Sequence, residues 1–563
     1  MTPSFPSAPK PSVGLSSFPK WISDGYYYVD KSLLIQSVLD ASEEVLLLPR
    51  PRRFGKTLNL SMLRAFFERE KPEWRDLFQG LAIERAGERY TIHQGRYPVV
   101  FLTLKDIKTS HWSDCQSKLR KLIAAEYLRY HQELSNGILM EQEHSWFKEI
   151  YDETADWPAY EDSLKNLLTW LQRAFGERVI LLIDEYDTPI HAGYQHGYYD
   201  EVLGFMRNWL SGALKDHDDL KKGVLTGILR VAKESTFSGL NNLKVHGILD
   251  ADPFSDKFGF TNSEVEKLLA NAGLSDTLPT VRDWYSGYQF GKTTIYNPWS
   301  VVNFINDQPA PASTHWINTS DNKLIFNLIR DGGPGVHQGV EKLLEGSFFS
   351  EIEDVIPLHD IRESSIWSLL LFSGYLRAVG RHRKGSLDLH RLQLPNRETR
   401  LFFVKTINTI LEEHLSASAL QALLEALVAG EVSTFEKHLK TLVLNLLSVH
   451  DTAGGKRRTP EAVYQSFVLG LVANLDHEYR IRSNIESGLG RADILMTPKV
   501  RNKRGIVMEF KRLRKGEKME RQLEVALKQI KEKDYGAEMP AEGVKEILKL
   551  AIVFDGKKLQ VRS

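Results

Sequence analysis

The chain has 563 residues, too many for one hydrophobic core, so two to four domains are expected. Its 73 Lys+Arg are balanced by 73 Asp+Glu, which excludes a whole-molecule field that would draw it onto a polyanion; any such attraction must be local. With 42% hydrophobic and 26% charged residues it reads as soluble and globular, and its single cysteine, Cys115, excludes an internal disulfide or a cysteine-based zinc cluster.

Residues 1–20 carry prolines at 3, 6, 9, 11 and 19 and lack the apolar core of a secretory signal, so a flexible leader is expected there. The most apolar runs, such as 179–183 and 366–376, fall well short of a bilayer span, and the lone cysteine fits a reducing compartment. A cytoplasmic protein with no membrane partner is therefore expected. Between Gly25 and about Ile248, short apolar runs (EVLLLP, YPVVFLTL, VILLID, KGVLTGIL) alternate with long stretches of helical spacing. That alternation predicts an α/β domain over 21–250, with a mostly parallel sheet covered by helices.

Within this domain, EVLLLPRPRRFGKTLNLSML runs from a buried-strand pattern through a loop into an apolar-periodic helix, the order a phosphate-binding loop requires. Gly55 permits close backbone approach, Lys56 can reach terminal phosphates and Thr57 can hold Mg2+. The loop departs from the glycine-rich pattern at its first position, Arg50, and the next residue, Pro51, has no N–H to offer a phosphate. About 130 residues on, VILLIDEYDTPI ends an apolar strand in Asp184, a candidate for the Mg2+ shell, and Glu185, a candidate to polarise water. A third buried strand ends near Thr226 and is followed by Arg230 and Lys233, candidates to sense a terminal phosphate; a structural salt bridge is the commoner fate of such residues. Asp30 and Lys31, after the aromatic GYYYV, are candidates to frame a nucleotide base, with a fold-stabilising ion pair the commoner fate of such residues.

Residues 251–340 turn aromatic and turn-rich, predicting helices with short hairpins as a lid or winged-helix-like module. Residues 341–450 are dominated by helical apolar spacing and read as a helical spacer. From 451 the pattern becomes helix, three strands, helix, strand. There, RADILMTP carries Asp493 near the start of a strand, and GIVMEFKR carries Glu509 and Lys511 on one face of the next, since side chains alternate along a strand. If the two strands are neighbours, both carboxylates reach one Mg2+ (or Mn2+) with the lysine beside it, as phosphodiester hydrolysis requires. The bland alternative is a solvated Glu509–Lys511 pair on an edge strand, but VMEF is apolar enough to suggest a buried one. Glu461, after Pro460, can cap the preceding helix or orient a water, two readings that stay open. Eight Lys or Arg between 501 and 519 form a basic stretch able to neutralise phosphates, with an ordinary solvated loop as the alternative.

Asp493 with Glu509-Phe510-Lys511 resembles the PD-(D/E)XK nuclease superfamily over about the last hundred residues, with Ala492 in place of the usual proline. SNIESGLGRAD, Gln529-Ile530 and Tyr535 are similar to the nuclease half of a bacterial family that joins it to an AAA-ATPase-like domain. GYYYVDKS, RPRRFGKT, LIDEYDTPI, LTGILRVAKES, WYSGYQFG, YNPWS and NTSDN resemble that family's other blocks, and Arg50-Pro51 is its usual spelling. The resemblance implies a P-loop α/β domain, then a PD-(D/E)XK αβββαβ core at 451–563, with Ser483, Glu486, Arg491, Gln529 and Tyr535 around Asp493, Glu509 and Lys511. It further implies ATP and Mg2+ as cofactors, DNA as partner, a role in phage or mobile-element defence, and Gln529 steadying the nucleophile. A homo-oligomer is compatible with all of this. Two rival readings stand beside an ATP-regulated nuclease: a nucleotide-dependent switch whose nuclease fold only grips nucleic acid, and a DNA-binding motor whose output is ATP turnover.

Overall fold

A computed structural model describes residues 11–228, 242–250, 253–317, 323–354, 356, 361–384, 387–412, 416–450, 468, 471–475, 477–487, 490–500, 502–513, 516–555 and 558–563. The chain divides into two compact units. The first comprises 1–320, 350–391 and 395–398, the second 321–349, 392–394 and 399–563. The stretch expected to be a helical spacer is thus shared between both, and it contains the strands β8 (Phe348–Glu351), β9 (Arg377–Lys384) and β10 (Leu387–Gln393).

In the first unit, β1 (Val45–Pro49), β2 (Val99–Thr103), β3 (Val179–Asp184), β4 (Leu220–Gly227) and β5 (Leu243–Val245) form a parallel sheet of order β2-β3-β4-β1-β5. Every residue of β1 and β3 is buried, the outcome for apolar runs in a sheet with helices on both faces. β5 escaped the sequence pattern because it is a three-residue edge strand with no buried residue. The covering helices carry local stop and start signals. Asp156 caps Trp157–Phe175 by accepting from the Ala159 N–H, and left-handed Gly176 ends it. The leader expected over 1–20 ends early: Ser17 caps the helix Phe18–Ser23, and fully buried Phe18 packs on Tyr28 and Phe78. Pro19 stands in the first turn of this helix, where its missing N–H costs no hydrogen bond, and the buried Phe18 ring anchors the turn.

Lys31 donates to Glu264 at 2.7 Å and to the Asp256 carbonyl at 2.8 Å, while Asp30 accepts from the Ser32 and Ala82 N–H groups. Both residues tie the chain together. Glu264 also closes a capping box with Thr261 at the helix Asn262–Asn271. The hairpin β6 (Tyr288–Phe290) and β7 (Thr293–Ile295) follows, turning through Gly291 at φ +53°.

In the second unit, left-handed Gly430 separates the helices Ala417–Ala429 and Val432–His450. The C-terminal sheet has β11 (Tyr479–Ser487), β12 (Gly490–Pro498), β13 (Gly505–Arg512), β14 (Ile547–Asp555) and β15 (Lys558–Arg562) in sequential order. All neighbours are antiparallel except β13 and β14, which are joined through the helix Met519–Glu532. The expected three strands, helix and strand are present, and β15 adds an edge strand that the pattern did not include. No helix among the described residues is long and apolar enough to cross a membrane.

A cluster beneath β2 gives the first unit a pH dependence. Arg129 is shared by Glu68, by Glu126 at 2.8 Å and by Glu70 at 3.8 Å. Burial, with the Glu68 charge adding, pushes the Glu70 carboxyl up to about 7. A carboxyl that holds its proton more tightly when folded stabilises the fold below its unfolded pKa, and that stability is lost as pH rises through the folded value. Unfolding of wild type should therefore become easier between pH 4.5 and about 7. Glu70→Gln should flatten this dependence and be the more stable form at pH 8, by on the order of 2 kcal/mol, in urea titrations at the two pH values.

Candidate functional sites

At the C-terminal ends of β1, β3 and β4 the loop 50–55 leads into the helix Lys56–Phe67, whose N-cap is Gly55 at φ +84°. That left-handed position suits glycine, and a Cβ there would meet nothing within 4 Å. Thr57 Oγ1 donates to Asp184 Oδ2 at 2.7 Å, and Thr226 Oγ1 donates to Asp184 Oδ1 at 2.7 Å. Burial raises the Asp184 pKa, and the two hydroxyl bonds oppose that rise. Thr226 was legible only as a strand end; its signal was a hydroxyl at the C-terminal tip of an otherwise apolar strand beside LLID. Glu185 is left-handed at φ +52° and accepts from Thr188 Oγ1 at 3.2 Å. Lys56 is buried, and its Nζ donates to the carbonyls of Arg50 and Pro51 at 3.0 Å each. Burial lowers its pKa against the pull of Glu185, Asp184 and Asp187. Arg230 and Lys233 lie outside the described residues.

The irregular loop has a structural reason. Arg50 is fully buried, and its guanidinium donates to the carbonyls of Pro49 at 2.8 Å, His246 at 2.6 Å and Phe254 at 3.2 Å. It also lies over the rings of Phe258 and Phe290, at 5.1 and 5.4 Å. Phe54 packs on Tyr288 and Phe290, and a Cβ on Gly374 would come within 2.9 Å of Pro51. Arg50, Pro51 and Phe54 thus fasten the loop to 246–258, to the β6–β7 hairpin and to Gly374. Glycine in their places would give up this packing.

In the second unit, β12 and β13 pair antiparallel from Ile494 opposite Met508 to Met496 opposite Ile506, and continuing that register one residue beyond the ladder sets Asp493 opposite Glu509. Opposite residues of an antiparallel pair share a face. Asp493 Oδ2 accepts from the Phe510 N–H at 2.8 Å, and Glu509 Oε1 accepts from Lys511 Nζ at 2.7 Å. Glu509 is 1% exposed, while the Lys511 side chain keeps 26% of its surface. Phe510 turns to the other side and stacks on Phe554. The solvated edge pair is thereby excluded, because β13 lies between β12 and β14 and its apolar residues are buried. Gln529, on the helix Met519–Glu532, donates to the buried Tyr535 hydroxyl at 3.0 Å. Two carboxylates on neighbouring strands, one of them bonded to an ammonium, offer the hard oxygen donors that Mg2+ or Mn2+ takes. A group of three or more His, Cys, Asp or Glu able to hold a metal is absent among the described residues. Glu461 lies outside them, as do the side chains of Ser483, Glu486 and Arg491.

The basic stretch is partly spent on structure. Lys503 pairs with Glu478, and Arg504 donates to the Ala429 carbonyl at 3.1 Å and stands 3.5 Å from Glu546. Arg501, Arg514 and Lys515 lie outside the described residues.

The first unit has the sheet and loop of a P-loop domain, and the second has the carboxylate and lysine arrangement of a nuclease fold. Residues 12–237 match the family model described as "Predicted AAA-ATPase", and residues 459–563 match that of the PD-(D/E)XK nuclease superfamily. The chain therefore carries an AAA-ATPase-like domain followed by a PD-(D/E)XK domain, a pairing that points to a nucleotide-dependent nuclease. Over 397 residues it is 26% identical to a protein of Azotobacter chroococcum mcd 1 described as "Uncharacterized protein in vnfD 5'region", spanning 70% of this chain and 69% of that one.

Proposed function

We propose that the chain is an ATP-regulated, Mg2+-dependent nuclease that hydrolyses phosphodiester bonds in DNA. The observation that supports this reading is that Asp493 of β12 accepts from the Phe510 N–H of neighbouring β13, between Glu509 and the Lys511 that bonds to it. Asp493 and Glu509 would hold the divalent ion, with the Phe510 carbonyl a further oxygen donor. A bound Mg2+ supplies charge neutralisation at the phosphate. Asp493 is held in place by the Phe510 N–H, and Glu509 by Lys511, so neither carboxylate must be ordered when the ion arrives. Lys511 Nζ is the group placed to hold or pass a proton beside them, and Gln529, oriented by Tyr535, steadies the reacting phosphate or water.

In the first unit, Lys56 and Thr57 would take the polyphosphate and its Mg2+, with Asp184 holding Thr57 in position. Lys56 must exchange the carbonyls of Arg50 and Pro51 for phosphate oxygens, which gives the loop two states for ATP to choose between. A role in phage or mobile-element defence belongs to this reading and rests on the family resemblance.

Plasmid DNA incubated with wild type, Lys511→Ala and Lys56→Ala in Mg2+, with and without ATP, tests it. Wild type should nick or linearise the plasmid, Lys511→Ala should not, and Lys56→Ala should cleave without responding to ATP. Equal cleavage by wild type and Lys511→Ala would refute the assignment of the site.

A further inference from the structure

The first positions of the loop offer a phosphate almost nothing from the backbone. The Arg50 N–H is taken by the Gly227 carbonyl at 3.0 Å, and Pro51 has none. The Arg50 guanidinium is buried against three carbonyls. The two residues after Pro51 are also arginines, and they differ from Arg50 in hydrogen bonding and burial. Among the described residues, neither Arg52 nor Arg53 makes a hydrogen bond or an ion pair, and Arg53 is exposed. Arg53 has φ +69°, a left-handed conformation that is unfavourable for a non-glycine residue. Its guanidinium carbon lies 4.1 Å over the Trp299 ring, at the start of the helix Pro298–Asn306. Stacking on a ring occupies the guanidinium face and leaves its N–H edge for another partner.

Charge points the same way. Burial is the main influence disfavouring the charged forms of Arg53 and Lys56; Glu185 opposes it and Arg52 adds to it. Arg52, Arg53 and Lys56 thus act on one another within a single loop, and among the described residues Arg52 and Arg53 make no hydrogen bond. A planar guanidinium matches phosphate through paired N–H donors, in shorter and stronger bonds than a neutral amide gives.

We propose that Arg52 and Arg53 are polyphosphate-binding residues that replace, with guanidinium N–H groups, the backbone donors that the loop lacks at Arg50 and Pro51. This rests on the reading that the loop binds a nucleoside triphosphate. Affinity in this chain then depends on the length of the phosphate tail through two side chains, and Trp299 holds one of them in place.

Calorimetric titration of the full chain with ATP, ADP and AMP in Mg2+ tests this for wild type, Arg52→Ala, Arg53→Ala and Arg53→Lys. Either alanine variant should weaken ATP binding about tenfold or more while moving AMP by about twofold or less, because only the tail is touched. Arg53→Lys keeps the charge but not the paired donors, and its ATP affinity should fall between wild type and Arg53→Ala. Thermal unfolding of each variant at the wild-type temperature ties the loss to binding, and Arg53→Lys serves if an alanine variant does not fold. ATP affinity within about twofold of wild type in both alanine variants, or equal losses for ATP and AMP, would overturn the proposal. No ATP binding by wild type would instead remove the nucleotide reading itself, and this inference with it.

Discussion

Replacing Arg50 with alanine should lower the stability of the first unit by about 3–5 kcal/mol, the largest loss expected of any side chain in the loop. Three buried carbonyls, those of Pro49, His246 and Phe254, would each lose a charged donor. A cavity would also open between Phe258 and Phe290, and the surrounding sheet and hairpin can collapse into it only in part. Relief of the arginine's own desolvation offsets some of this but does not reverse it, since the acceptors stay buried. Arg50→Lys should recover less than half of the loss, because an ammonium cannot span three separated carbonyls while lying between two rings. Urea unfolding of the full chain, followed by tryptophan fluorescence, reads the first unit's transition. A shift equivalent to less than about 1 kcal/mol would show that Arg50 is not the loop's anchor.

Lys511→Ala should slow single-turnover DNA cleavage by about 10²- to 10⁴-fold, the range for removing a positioned proton-transfer group. The same change should leave divalent-ion affinity intact or raise it. Removal of the ammonium 2.7 Å from Glu509 makes that carboxylate a stronger anion in a site where it is 1% exposed. The rate and the affinity are therefore expected to move independently, which distinguishes Lys511 from a residue that only holds Glu509 in place. Saturating Mn2+ that restored the rate to wild type would assign Lys511 to ordering the carboxylate alone.

How far the sequence foretold these sites depended on the range of the interactions involved. The strands β1 to β4 were readable because each carries a short apolar run within a mostly buried strand of five to eight residues in a parallel sheet. The three residues of β5 carry no such signal, and β15 alternates buried and exposed over only five residues. In the C-terminal sheet, alternation placed Glu509 and Lys511 together and Phe510 apart without reference to any other part of the chain. Asp493 needed the additional premise that its strand is a neighbour, which a short hairpin made natural and the register bears out.

The phosphate loop was less legible for the opposite reason. Lys56, Thr57 and Asp184 follow a local pattern, and the structure brings Thr57 and Asp184 into a hydrogen bond across 127 positions. Arg50 and Pro51 looked like defects because their partners, at His246, Phe254, Phe258, Phe290 and Gly374, are 196 positions or more away for the hydrogen bonds and are invisible to local reading. The same limit applied to the basic stretch after Arg501. Lys503 and Arg504 counted as available charge until Glu478, Glu546 and the Ala429 carbonyl proved to hold them.

Titration of the full chain with Mn2+ by calorimetry, comparing wild type with Asp493→Asn, bears most directly on whether Asp493 and Glu509 form a single cation site. Asparagine retains an acceptor for the Phe510 N–H, so the strand pairing stays as it is while one of the two anionic ligands is neutralised. The account predicts that wild type binds the ion in the second unit and that Asp493→Asn weakens this event by at least about tenfold. Identical isotherms for the two proteins would contradict it.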